Sequence, residues 1–250
     1  MNDTWDVWQN QVEAAGATRR ERALNRTKRI INYKTMHSLS THKVLMNGIE
    51  QRVTIINREE FNKKRIIALP DETIVHGGIV DWADNKWLIT QIDSNDEVNM
   101  AGLMEQCNYE LKWRDETGNI ISKWCVVEDG TKYLVGENPE RIMTTGGSRF
   151  AVTIAKDEDT NKLKRGKRFL LYDPDCQDVL AFEITKPNTL FNIFEGVGVY
   201  RFILVETNLT DHDNKELMIA DYDNWDETVL PSEIEDNSES TEPKEIGVWL

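Results

Sequence analysis

Gln106-Cys107-Asn108-Tyr109-Glu110-Leu111-Lys112-Trp113 places an apolar side chain at every second position and an amide or charged one between, so an extended segment here has one buried and one wet face. Asp115-Glu116-Thr117-Gly118-Asn119 follows, with Gly and Asn available for positive φ, and the β-rich run Ile120-Ile121-Ser122-Lys123-Trp124-Cys125-Val126-Val127 returns, which predicts a hairpin. Upstream, Gly78–Trp82 and Lys86–Ile92 flank the tight connection Ala83-Asp84-Asn85 and predict a second hairpin. From Gly78 to Val127 the chain reads as four consecutive antiparallel strands.

The same pattern extends outward on both sides. Lys43–Met46, the turn Asn47-Gly48 and Arg52–Ile56 form a further hairpin signal, followed by Arg65–Leu69 and a Pro70-Asp71 turn. Residues 149–185 loosely repeat this layout, and Tyr200–Glu206 with Glu216–Ala220 would close the second unit. The fold class expected is mainly β: two small tandem β-barrel or β-sandwich modules preceded by an N-terminal helical segment, with an acidic C-terminal tail. The expected division is an arm over 1–40, a first β module over 41–136, a second over 137–223 and the tail over 224–250, with Gly136 to Gly147 as the joint.

A chain of 250 residues with 39% hydrophobic and 30% charged side chains fits two globular units with solvated extensions. No apolar run approaches the roughly 20 residues of a membrane-spanning helix, and the start, Met1-Asn2-Asp3-Thr4-Trp5-Asp6, is too polar for a secretory signal. From these features no membrane partner is expected, and the protein should stay in the cytoplasm where it is made. Cys107, Cys125 and Cys176 have no C-x-x-C spacing, which argues for reduced, mostly buried thiols.

The formal charge of −14 is unevenly distributed. Arg19, Arg20, Arg22, Arg26, Lys28, Arg29 and Lys34 make the early segment basic, whereas the chain beyond Glu206 is strongly acidic. Opposite-sign ends can attract copies of the chain to one another or select different neighbours. Thr18, with Glu21 three residues on, marks a capping box for a helix running to about Tyr33. Its apolar set, Ala23, Leu24, Ile30 and Ile31, is thin, so the helix is expected to lie against another surface. The tail ends its acidic run with Ile246-Gly247-Val248-Trp249-Leu250, an apolar anchor suited to a site on another subunit.

Catalytic constellations are scarce. His37, His42, His76 and His212 show no metal-ligand spacing, and neither a Walker A loop nor a G-x-G-x-x-G is present. Asp93-Ser94-Asn95-Asp96-Glu97 and Asp211-His212-Asp213-Asn214 gather oxygen ligands in turns but lack EF-hand spacing, so turn-forming carboxylates are the simpler account. Trp82, Trp87, Trp113 and Trp124 read as core of the first module. No catalytic residue, metal ligand or cofactor is expected.

Val75-His76-Gly77-Gly78-Ile79-Val80-Asp81-Trp82-Ala83-Asp84-Asn85-Lys86-Trp87-Leu88-Ile89-Thr90, continued by Met104–Trp113, resembles structural proteins from the morphogenesis modules of tailed bacteriophages, over about residues 44–220. Within that group the chain is most similar to the head-closure or stopper proteins of the neck, small β-barrels that form rings below the portal and adaptor. The resemblance implies a virion subunit whose partners are further copies of itself in a ring, the portal or adaptor and the tail proteins. Genomic DNA would pass through the ring without specific binding, since an acidic channel does not hold phosphate. Candidate channel or partner-contact loops are Asp93–Gly102 and Pro187–Gly198, with Asp93, Asp96, Glu97, Phe191 and Phe194; candidate subunit contacts are Arg19, Arg22, Arg26, Arg29, Trp249 and Leu250. A tail terminator, tail tube or capsid decoration protein is the alternative. A tail-associated hydrolase using Asp81 and Asp93, or a carbohydrate-binding module, is the alternative from another class.

Overall fold

The computed structural model describes residues 5, 7–8, 16–93, 98–130, 149–173, 178–188, 192–194 and 196–223. Helix α1 (Arg19–Met36) leads into two β units. Strands β1 (Thr41–Met46), β2 (Ile49–Asn57), β3 (Lys63–Ala68), β4 (Ile79–Trp82), β5 (Asn85–Asp93) and β6 (Ala101–Gln106) close into an antiparallel barrel in the order β1-β2-β3-β6-β5-β4. Strands β7 (Tyr109–Arg114), β8 (Ile120–Asp129), β9 (Arg149–Ala155), β10 (Arg168–Asp173), β11 (Asp178–Asn188) and β13 (Val197–Thr207) form a second sheet in the order β10-β11-β13-β9-β8-β7, and β12 (Ile193–Phe194) pairs with β13. The mainly β fold with two barrel-like units is therefore present.

Turn chemistry fixes the first hairpins. Asn47 and Gly48 have φ of 49° and 83°, and Ala83 and Asp84 have 52° and 58°, so both two-residue loops carry the double positive φ that matches strand twist. The registers follow, Met46 opposite Ile49 and Trp82 opposite Asn85. Inward residues from every barrel strand, among them Val44, Val53, Ile66, Val80, Trp87 and Met104, fill the first core. Leu111, Trp113, Val152, Phe169, Phe182 and Leu204 fill the second. The outer strands of the second sheet meet through side chains: the Tyr172 amide donates to the Tyr109 hydroxyl at 3.1 Å, and Lys167 Nζ donates to the Arg114 carbonyl at 3.1 Å.

The stretch from Gly78 to Val127 differs from its sequence reading in one respect. It holds five strands, and its two hairpins lie in different sheets, because β8 pairs with β9 and not with the barrel. The alternating run 106–113 breaks at Cys107-Asn108, where the Cys107 amide donates to Lys86 O and the Asn108 amide to Cys125 O. Within two residues the chain exchanges one sheet for the other, so the hairpin assigned to the first module belongs to the second. Gly136 and Gly147, taken as the joint, lie outside the described residues.

Strand β6 is not among the strands expected from the sequence, because it does not alternate: Ala101, Met104 and Glu105 are buried together. A register shift between Ile89 and Gln91 in its partner β5 accounts for the broken period. Trp113 is buried in the second core, and Trp124 is 37% exposed rather than core. Glu216–Ala220 forms no strand; the segment closes in a turn with one bridge between Asn214 and Ile219.

The two units touch through Leu88, Cys107, Val126 and Val199, with Ile79 and Ala155 beside them. This contact explains why Trp87, Leu88, Ile89 and Thr90 are all buried in succession. Trp87 and Ile89 face the barrel interior, and Leu88 faces the second unit.

Candidate functional site

Two surfaces stand out: a cleft between the units, and the outward face of α1. The cleft forms where the backbone of the barrel meets the β12–β13 hairpin. Gly77 has φ of 81°, and a side chain there would collide with Gly198 O; Gly198, at φ 151°, leaves no room beside Asn192 O. Only hydrogen at both Cα atoms permits this approach. The Lys156 amide donates to Gly198 O at 2.9 Å and the Val199 amide to Asn192 O at 3.1 Å, which hold the hairpin in place.

Below that crossing lies a cavity of about 1110 Å³, lined on the barrel side by Ile74, Val75, His76, Thr90–Ile92 and Met100 and on the hairpin side by Asn192–Phe194 and Val197. His76 is buried, its Nε2 donates to Thr90 O at 2.9 Å, and its ring stacks on Phe194 with centroids 5.9 Å apart. The carbonyl can only accept, so Nε2 carries the ring proton. Phe194 is 63% exposed beyond that contact. Among the described lining residues His76 is the sole ionisable group. The described lining mixes apolar side chains, such as Ile74, Ile92, Met100 and Phe194, with the polar Thr90, Gln91 and Asn192.

Both loops singled out by sequence, Asp93–Gly102 and Pro187–Gly198, converge on this cleft through Met100 and through Asn192, Phe194 and Val197. Asp93 itself lies at the end of β5 in a smaller groove of about 220 Å³ that also holds Arg58 and Arg65. Asp96, Glu97, Phe191, Trp249 and Leu250 lie outside the described residues. His76 carries no metal-ligand spacing, so the sequence does not mark it as a site residue. The signal available was the pair Gly77-Gly78 together with Gly198, which marks a close backbone approach.

The second surface is α1. Its capping box is present: the Glu21 amide donates to Thr18 Oγ1 at 3.1 Å, and the Thr18 amide to Glu21 Oε2 at 3.1 Å. Eighteen residues form the helix and none is buried. Leu24, Lys28, Ile31, Asn32 and Thr35 are half-buried and turn toward the protein. Lys28 Nζ meets Asp71 at 2.5 Å, and Thr41 Oγ1 donates to Thr35 O at 2.6 Å. Arg19, Arg22, Arg26 and Arg29 are all exposed, and at 3.6 residues per turn they share an arc of about 80° on the opposite side. Ile30, Tyr33 and Met36 continue the exposed side at 45%, 68% and 62%, and Leu39 beyond it is 98% exposed.

The two carboxylates of the hydrolase alternative do not converge. Asp81 on β4 pairs in register with Lys86 and its carboxylate meets Lys86 Nζ at 2.6 Å, while Asp93 lies seven residues farther along β5, roughly 23 Å at the usual strand rise. Glycosidic carboxylate pairs stand within about 10 Å. Nor does Asp213 await a cation. Its carboxylate is engaged by Arg168 and by the amides of Thr210 and Asp221. Among the described residues, no group of three or more His, Cys, Asp and Glu side chains is placed to hold a metal ion, and no helix is long and apolar enough to cross a membrane.

Comparison with known proteins gives a family match over residues 13–106, to the YomX N-terminal domain. The matched range covers α1 and the whole barrel and is less than half of the chain. That family is phage-associated, which supports a phage protein. No curated protein matches. Among solved structures the chain has a likeness to MrkH, described as a c-di-GMP-dependent transcription regulatory factor, at 11% identity over 74% of this chain and 83% of that one. The TM-score is 0.22, too low to carry an argument.

Proposed function

We propose that the protein is a non-catalytic assembly subunit of a phage particle, a head-to-tail connector of the neck whose copies form a ring between the portal or adaptor and the tail. One observation carries the reading: α1 is an 18-residue helix without a buried residue, presenting arginines and then apolar side chains outward. In proteins most of a helix's stability comes from packing one face against a neighbouring surface rather than from its own propensity. A helix that gains so little from its own barrel acquires its stability from a neighbour.

Heterologous contacts of this kind close into a ring when the rotation between copies permits. The net charge of −14 suits a channel that lets DNA slide, because an excess of carboxylates opposes strong retention of phosphate. The cleft beside Phe194 supplies a second contact for another virion protein. Sedimentation velocity on the full chain over a range of concentrations tests the reading. One closed oligomer in equilibrium with monomer is expected. A monomer at every concentration would overturn it.

A further inference from the structure

The outward side of α1 has an order to it. Arg19, Arg22, Arg26 and Arg29 occupy its first eleven residues, and Ile30, Tyr33 and Met36 its end. None of the four arginines makes an ion pair among the described residues. Along the helix, Arg22 to Met36 measures about 21 Å at 1.5 Å per residue.

Residues 226–250 lie outside the described residues, but their sequence has the same order with the opposite charge. Asp226, Glu227, Glu233, Glu235, Asp236, Glu239, Glu242 and Glu245 stand against Lys244 alone, and Ile246-Gly247-Val248-Trp249-Leu250 follows. Glu242 to Trp249 in extended form spans about 23 Å at 3.3 Å per residue. Length, sign and the change from charged to apolar therefore match when the two run in parallel.

We propose that the segment 226–250 of a second copy docks along the outward face of α1, with Glu242 and Glu245 against Arg22 and Arg26 and with Trp249 on Tyr33 and Met36. The proposal rests on the assembly reading and names the contact that would link one subunit to the next. Arginine suits this role because its guanidinium engages carboxylates in a two-pronged way. The apolar half supplies the area term, and burying a tryptophan dominates such contacts. A donor of this kind, reaching from each copy to the next, generates the heterologous interface that a ring requires.

Charge reversal on each side tests it, with sedimentation velocity of the full chain as readout. The double variants Arg22→Glu/Arg26→Glu and Glu242→Lys/Glu245→Lys should each associate at least about tenfold more weakly. An equimolar mixture of the two should recover assembly, since each helix then meets a complementary segment from the other chain. Circular dichroism should show α1 intact in the arginine variant, because both positions are exposed and glutamate forms helix about as readily as arginine. Tyr33→Ala and Trp249→Ala should weaken association by a similar factor without changing its dependence on salt.

Assembly of either charge variant at wild-type strength would overturn the proposal. So would loss in both without recovery on mixing, which would leave a ring held by another contact. If the arginine variant keeps its assembly and instead loses retention of a duplex DNA fragment, the face binds nucleic acid and the proposal fails. A wild-type chain that never associates would sink the assembly reading itself.

Discussion

The guanidinium of Arg168 on β10 grips the carboxylate of Asp213 in a two-pronged contact, Nη2 to Oδ2 at 2.9 Å and Nη1 to Oδ1 at 3.1 Å, and its Nη1 also meets Asp221 at 2.5 Å. The Asp213 side chain is 1% exposed. This arrangement ties the turn-rich segment 208–223 to the edge of the second sheet. Arg168→Ala leaves a buried carboxylate without its partner and should cost about 3–5 kcal/mol in urea unfolding. Arg168→Lys should recover only part of it, because a single ammonium cannot reproduce the fork.

Acid should probe the same site. Burial pushes the Asp213 carboxyl up, but the amides of Asp221 and Thr210 and the Arg168 guanidinium together outweigh it and hold the group below its ordinary 3.8. A carboxyl depressed in the folded state contributes stability above its unfolded pKa, and that contribution is lost as pH falls through the folded value. The wild-type protein should therefore lose stability below about pH 4, and Asp213→Asn should flatten that part of the profile. A profile unchanged by the substitution would remove Asp213 as its source.

Glu105 acts in the opposite sense. It is 6% exposed on β6, accepts a hydrogen bond from Thr90 Oγ1 at 3.1 Å, and is raised by burial despite the opposing charge of Lys63. A carboxyl raised in the folded state carries no penalty below its unfolded pKa of 4.5 and a growing one as pH rises through the folded value. Glu105→Gln keeps a hydrogen-bonding oxygen and removes the charge. The variant should melt higher than wild type at neutral pH and equal to it in acid; a lower melting point at neutral pH would contradict this.

Turn geometry gives a prediction of its own. Ala83 is held at φ 52°, in a region that costs a residue with a Cβ about 1–2 kcal/mol. Ala83→Gly should stabilise the barrel by up to about 1 kcal/mol. Gly77→Ala should do the reverse, forcing Gly198 away and opening the cleft, which the loss of His76–Phe194 stacking would report by NMR.

Much of the barrel was legible in the sequence, and the reasons are local. Asn47-Gly48 and Ala83-Asp84 fix both register and hand, Thr18 and Glu21 fix the start of α1, and the alternation of Tyr109, Leu111 and Trp113 fixes which face of β7 is buried. What escaped was non-local. Nothing in Cys107-Asn108 announces a change of sheet, because the hydrogen bonds that cause it go to Lys86 and Cys125. Strand β6 escaped because its pattern answers to a bulge in β5. The cleft escaped for a similar reason: Gly77 and Gly198 are far apart in the chain, and only the assembled backbone brings them together. The arginine face of α1 was legible throughout, since helical spacing alone aligns Arg19, Arg22, Arg26 and Arg29.

The thiols offer a check on how firmly the two units are joined. Cys107 lies in the contact between them, and burial, with the nearby charges of Asp81 and Glu105, pushes its thiol up to about 12; burial pushes Cys125 up as well. Since the thiolate is the nucleophile, both should resist alkylation in the native protein and react on unfolding. Alkylation of Cys107 ahead of global unfolding would show that the units separate on their own.

The most direct test of the central claim is a cryo-EM map of the phage particle that encodes this chain. A ring of this protein is expected at the junction of head and tail, with α1 of each copy covered by its neighbour. Intact particles that lack the chain, or particles in which it stands alone with α1 bare, would contradict it.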